Sequence, residues 1–253
     1  MDRDPYADPV LYDLEYEGHV ADLAWYRALA QGLGGPVLEL GCGTGRVAMC
    51  LLEDGLSVVG VDAAQGMLDR FQQLLATRPE ALRDRCELVC ADFLELRMDR
   101  SFRLVMLPFN ALHHCMDARS VMRLLESVRR HLASDGIFAL DCYLPDPSLY
   151  ARDPDQRYEE RRFRRPDTGE VLHSWEQSWF DAERSIHHVR YIYRDSGGDE
   201  TVVALDLRMW SRDELMDMFA RAGFAVLHEM ADFEGTPMHA GAVRSVLTLR
   251  HQL

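Results

Sequence analysis

Hydrophobic and polar positions along the chain follow two rhythms, and the change from one to the other divides it. From residue 36 to about 144, short apolar runs alternate with stretches of helical spacing. Val37, Leu38 and Leu40 form the first run, as a strand buried on both faces requires. Val47 to Leu52 reads as a helix that Asp54-Gly55 ends, and Ser57 to Val61 as a second buried strand. A helix follows to about Thr77, carrying Met67, Phe71 and Leu74 at helical spacing. Cys86 to Cys90 and Phe102 to Leu107 are the third and fourth strands. Asp117 reads as the cap of a helix running to about Leu132, and Ser134-Asp135-Gly136 as a turn into a fifth strand, Ile137 to Leu140. Strand-helix alternation of this kind predicts a doubly wound parallel sheet.

Outside this region the rhythm differs. Residues 1–35 open with the turn signals Asp4-Pro5 and Asp8-Pro9. Apolar positions at helical spacing then predict one or two helices between Leu11 and Leu33, so the segment reads as an N-terminal helical lid. From Pro145 to about residue 209, β-rich segments fall near 158–164, 171–181, 185–194 and 201–209, with Asp167-Thr168-Gly169 and Ser196-Gly197-Gly198-Asp199 as turns. This is the pattern of an inserted antiparallel sheet, expected to cap an acceptor site. The α/β rhythm returns at 210–253. Ser211 with Glu214 forms a capping box, a helix ends at Gly223, and strands follow at Phe224–Glu229 and Val243–Leu249, the last expected to be antiparallel.

The chemistry concentrates between Val37 and Asp62. Gly41, Cys42, Gly43, Thr44 and Gly45 turn the chain from the first strand into its helix, where a side chain at Gly41 or Gly43 would hold a ligand off the backbone. Asp62, at the end of the second strand, is placed to accept from ribose hydroxyls. A dinucleotide turn wants G-x-G-x-x-G, but the third of those positions is Arg46, whose bulk argues against a pyrophosphate there. Glu39-x-Gly41-x-Gly43-x-Gly45 with a downstream acid resembles the class I S-adenosylmethionine-dependent methyltransferases, over about 36–141 and 210–250. The resemblance implies a Rossmann-like, seven-stranded doubly wound sheet with S-adenosylmethionine as cofactor. It further implies cofactor contacts from Glu39, Gly41, Cys42, Gly43, Asp62, Ala63 and Met67. Ala91-Asp92-Phe93 would meet the adenine, and the backbone of Leu107 and Pro108 the sulfonium end. Tyr16 would reach the methionyl carboxylate or line the acceptor pocket. The position of Asp92 at a strand end favours ligand binding over a helix or turn cap, and Met67 could equally be core.

Composition narrows the acceptor. A formal net charge of -14 over 253 residues makes nucleic acid or an anionic membrane a poor partner. The single Pro108, with Leu107 before it, departs from the polar-Pro-Pro-aromatic run of base-amine methyltransferases. The 6 cysteines form no C-x-x-C pair, so no metal site is expected and free thiols in a reducing cytoplasm are. No apolar run approaches membrane-spanning length.

These readings converge on methyl transfer to a small-molecule acceptor, with an amine nitrogen leading because an amine needs only alignment and loss of a proton. His113 or His114, after the fourth strand, is the candidate base for the runner-up, an O-methyltransferase, with His113 leading, and Tyr143, after the fifth, a candidate at the acceptor. A protein or RNA methyltransferase and a non-catalytic S-adenosylmethionine-binding protein are the alternatives. The basic run Arg157, Arg161, Arg162, Arg164 and Arg165 is interleaved with acids and reads first as a solvated or subunit-contact strand, and second as contacts to a carboxylate- or phosphate-bearing substrate. Edge strands of the inserted sheet give a homodimer as the expected assembly.

Overall fold

The computed structural model describes residues 4–252. Helices α1 (Pro9–Glu15) and α2 (Leu23–Leu33) lead into β1 (Val37–Leu40), α3 (Arg46–Glu53), β2 (Val58–Asp62), α4 (Gln65–Ala76), a short α5 (Glu80–Arg83), β3 (Cys86–Cys90) and β4 (Phe102–Leu107). A 3-10 turn at Ala111–His114 precedes α6 (Ala118–His131) and β5 (Leu132–Tyr143). One-turn α7 (Pro147–Tyr150) then opens the insertion, β6 (Tyr158–Arg164), β7 (Val171–Asp181), β8 (Ile186–Arg194) and β9 (Glu200–Arg208), before α8 (Arg212–Arg221), β10 (Phe224–Met230) and β11 (Arg244–His251).

These elements divide into two compact units. One comprises residues 19–144 and 210–252 around a seven-stranded sheet of order β3-β2-β1-β4-β5-β11-β10. β1 to β5 are mutually parallel, whereas β11 runs antiparallel to both β5 and β10. Period-two side-chain alternation assigns neighbouring strand residues to opposite faces. Leu38, Leu40, Val105 and Leu107 face α6 and α8, and Val37, Val58, Leu104 and Met106 face α2, α3 and α4. Both faces are covered, which is why the parallel strands read as continuous apolar runs.

The caps follow the sequence. Asp117 accepts from Ser120 N–H at the start of α6, and Ser211 and Glu214 form the expected reciprocal box on α8. The turn expected at Ser134-Asp135-Gly136 is not formed. β5 runs unbroken through it, and the surplus residues are absorbed as a pairing irregularity, Phe102 opposing Leu132 but Leu104 opposing Ile137. A turn dipeptide inside a long strand gives a bulge, because the ladder bonds on either side outweigh a local reversal.

The second unit comprises residues 4–18 and 145–209. Its sheet is fully antiparallel, in the order β6-β7-β8-β9. α1 packs on it through Leu11, against Leu172, Tyr193 and Val203. The segment 1–35, read from sequence as one lid, is therefore shared: α1 belongs to this unit and α2 to the other. The basic run is largely neutralised within the unit. Arg157 grips Glu200 with two bonds of 2.9 and 3.0 Å, Arg161 meets Glu15, and Arg165 lies between Asp8 and Asp167. Among the described residues no helix is long and apolar enough to cross a membrane.

Leu124 on α6 is fully buried in the core between that helix and the sheet. Leu124→Ala is expected to lower unfolding free energy by about 2–5 kcal/mol, measured by chemical denaturation.

Candidate active site

Strand order places the ends of β1, β2 and β4 side by side, and the loops leaving those ends carry the polar groups. The turn after β1 is drawn onto β2 by its backbone: Cys42 N–H donates to Val61 O at 3.0 Å. Gly43 N–H donates to Asp62 Oδ2 at 2.8 Å, and Ala64 N–H to Asp62 Oδ1 at 2.9 Å. The carboxylate is thus fixed by one bond to each oxygen, and each oxygen keeps capacity to accept another. Burial pushes the Asp62 carboxyl up, and these amide bonds oppose it. Gly45, at φ +90°, starts α3 where a Cβ would overlap the Phe71 ring from α4, so the site admits no larger residue.

Two buried polar atoms at this edge have no hydrogen-bond partner: Glu39 Oε2 near the end of β1 and Asn110 Oδ1 just beyond β4. Glu39 is 2% exposed, and burial raises its carboxyl to about 8 against the opposing pull of Arg46. An unsatisfied buried acceptor is costly, and two on adjacent strands mark where a polar ligand completes the structure.

The chain leaving β4 is strained. Phe109 (φ 57°) and Asn110 (φ 60°) are consecutive non-glycine residues in the left-handed region, each costing of order 1–3 kcal/mol. Surrounding contacts hold them there. Phe109 N–H donates to Asp141 Oδ1 at 2.9 Å, and its ring lies 4.8 Å from the His19 ring with the Arg46 guanidinium 4.9 Å above it. Asp141 is fully buried and also accepts from Tyr26 Oη (2.8 Å) and Arg244 Nη1 (3.1 Å). Burial raises the Asp141 carboxyl, and the Arg244 charge opposes this. Arg46 is clamped at 2.6 Å by both oxygens of Asp22, itself 1% exposed. Sequence reading assigned no role to Asp22, Asn110 or Asp141. Asp141 had a signal, a lone acid in the apolar run Ala139-Leu140-Asp141-Cys142; Asp22 had none, because its partner lies on another element.

The residues singled out from sequence are partly brought together. Glu39, Gly41, Cys42, Gly43 and Asp62 cluster at the ends of β1 and β2, and Ala91 joins them by donating its N–H to Asp62 O at 3.0 Å. Exposed Cys90 pairs in register with Asp62. Met67 is 1% exposed, its Cε 3.4 Å from where a Cβ on Gly43 would stand, and Ala63 is exposed. Asp92 is exposed and accepts from Leu94 N–H at 2.8 Å, so one oxygen closes a turn; Phe93 is half-buried against the core. Leu107 and Pro108 are buried where β4 ends. His113 is fully buried in the 3-10 turn, and Tyr143 is 37% exposed with the Arg244 guanidinium 4.6 Å over its ring. Tyr16 belongs to the other unit, its hydroxyl 3.3 Å from that of Tyr191.

S-adenosylmethionine fits this edge. The acceptor capacity of Asp62 suits ribose hydroxyls, the unpartnered Glu39 and Asn110 oxygens suit a polar ligand, and the glycine turn permits close approach. Sheet order, glycine turn and acid together are similar to those of the class I S-adenosylmethionine-dependent methyltransferases, and part of the chain matches a methyltransferase domain. Residues 37–136 match the family described as a methyltransferase domain. The chain is 33% identical over 130 residues to the cypemycin N-terminal methyltransferase of Streptomyces sp, an alignment covering 51% of this chain and 50% of that protein. The match thus spans about half the length of that relative. The CcbJ methyltransferase from Streptomyces caelestis shares the fold at TM-score 0.76 and 24% identity, covering 91% of this chain and 95% of that one. The glycopeptide N-methyltransferase MtfA, solved with S-adenosylmethionine, gives TM-score 0.61 and 24% identity over 91% and 94% of the two chains.

Asp62→Ala is expected to weaken S-adenosylmethionine binding about a hundredfold, from two lost charge-assisted hydrogen bonds, while the circular dichroism spectrum is unchanged; calorimetric titration reads the affinity. Glu39 ionises near 4.5 when unfolded but holds its proton to about 8 when folded. Its stabilising contribution is therefore full below about pH 4.5 and lost as pH rises to 8, at no more than about 1.4 kcal/mol per pH unit. The denaturation midpoint of the cofactor-free protein is expected to fall across that window, and to fall less in Glu39→Gln.

Proposed function

We propose that this methyltransferase acts on a small molecule and that the accepting atom is an amine nitrogen. The observation that carries this is the burial of His113. His113, the leading one of the two histidines offered by sequence as a base, is fully enclosed in the turn after β4, which favours an acceptor needing alignment alone. The names of two similar proteins, an N-terminal methyltransferase and a glycopeptide N-methyltransferase, support nitrogen. The net charge of -14 supports a small acceptor over nucleic acid.

When bound, S-adenosylmethionine supplies a methyl carbon on a cationic sulfur that leaves as a neutral thioether. The chain's own residues bind and orient. Asp62 and Glu39 hold the donor, and the Phe109-Asn110 corner, fixed by Asp141, sets the position of the carbonyls at Leu107 and Pro108. The acceptor nitrogen contributes its lone pair and afterwards releases a proton to solvent. Tyr143, at the end of β5, lines the acceptor side. Six unpaired cysteines support a reducing cytoplasm as the setting.

The test is transfer of a labelled methyl group to a panel of small amines and phenols. Label is expected in amines, at a rate that rises with pH as each amine loses its proton. Label confined to phenols, with the rate abolished in His113→Ala, would assign oxygen instead.

A further inference from the structure

The unit built from α1 and the antiparallel sheet has a cavity of its own, of about 350 Å³, between the N-terminal segment and strands β8 and β9. That is at the lower end of the range for small-molecule pockets. Its wall is mostly apolar and strongly aromatic: Tyr12, Tyr16, Tyr191 and Tyr193 all line it. The rings are held in place. Tyr12 and Tyr16 meet edge to face at 4.7 Å, the Tyr16 and Tyr191 hydroxyls are 3.3 Å apart, and the Tyr193 hydroxyl donates to Glu15 Oε2 at 3.0 Å. Tethering the hydroxyls fixes the ring orientations before any ligand arrives, which lowers the ordering cost of binding.

The charge in the wall is mostly negative. Asp4, Asp8, Glu15 and Asp167 line the cavity against one guanidinium, Arg165, and Arg165 is already engaged by Asp8 at 2.5 Å and Asp167 at 2.8 Å. Glu15 is 8% exposed. Its other counter-ion, Arg161, reaches it at 3.1 Å from outside the wall. Burial raises the Glu15 carboxyl despite both partners, so a further positive charge beside it would be welcome. Aromatic faces around a small space, with a buried carboxylate and no free cation in the wall, match the recognition chemistry of an organic ammonium ion. The surrounding carboxylates disfavour an anion as the natural occupant, because they would repel it.

We propose that this cavity is a binding site for a small alkylammonium ion, held by the tyrosine faces and by Glu15. The site lies wholly within the α1 and antiparallel-sheet unit, and the proposal does not depend on nitrogen being the methylated atom.

The experiment is a calorimetric titration of the full chain with tetramethylammonium chloride, against sodium chloride at matched ionic strength. The expected result is saturable binding in the millimolar range, weakened about tenfold in Glu15→Gln and lost in Thr201→Arg, which places a cation on the cavity wall. The thermal midpoint of each variant is measured first, and Thr201→Arg, on the edge strand β9, serves if Glu15→Gln does not fold. Absence of saturable binding by the unaltered protein, or equal affinity in the variants, overturns the proposal. Methylation of amines in the transfer assay alongside no tetramethylammonium binding would leave the proposed reaction standing and remove this site.

Discussion

The bond from Gly43 N–H to Asp62 is the constraint on which the rest of the larger unit turns. It ties the loop after β1 to the end of β2, so the glycine turn and the Asp62 carboxylate are one rigid piece. Everything that makes this bond achievable is local and steric. A left-handed turn of small residues lets the loop fold back, the parallel register of β1 on β2 brings the two ends level, and Phe71 from α4 fills the space under Gly45. Moving the carboxylate by one residue would aim it at the opposite face of the sheet.

The second organising feature is the corner after β4. Two left-handed residues in succession are unfavourable in isolation. Their strain is offset by a buried carboxylate, a guanidinium and an imidazole drawn from three other parts of the chain. Asp141 is central, because one carboxylate joins the Phe109 backbone, the Tyr26 hydroxyl and the Arg244 side chain. Such a group costs desolvation and returns geometry, which is the exchange expected where a reaction depends on alignment.

Most of the fold was legible because the parallel strands are buried on both faces and the inserted strands on fewer, so the two regions carry different hydrophobic periods. The glycine turn and Asp62 were legible because they form a contiguous motif with fixed spacing to a strand end. The Asp22–Arg46 clamp and the Asp141 junction were not, because each joins residues that only the folded topology makes neighbours. The unbroken β5 was missed for a related reason: Ser134-Asp135-Gly136 is a valid local turn signal, and only its pairing with β4 turns it into a bulge. Tyr16 was read as reaching the methionyl carboxylate or lining the acceptor pocket, and its contact with the Tyr191 hydroxyl, 175 positions further along the chain, had no sequence signal.

The exposed thiol of Cys90 has a practical consequence. It stands opposite Asp62 across the last parallel strand pair, while Cys42, Cys115 and Cys142 are buried. A maleimide fluorophore attached there would sit one strand spacing from the Asp62 carboxylate. Its emission would then report ligand binding beside Asp62 in real time, without a substitution in the chain.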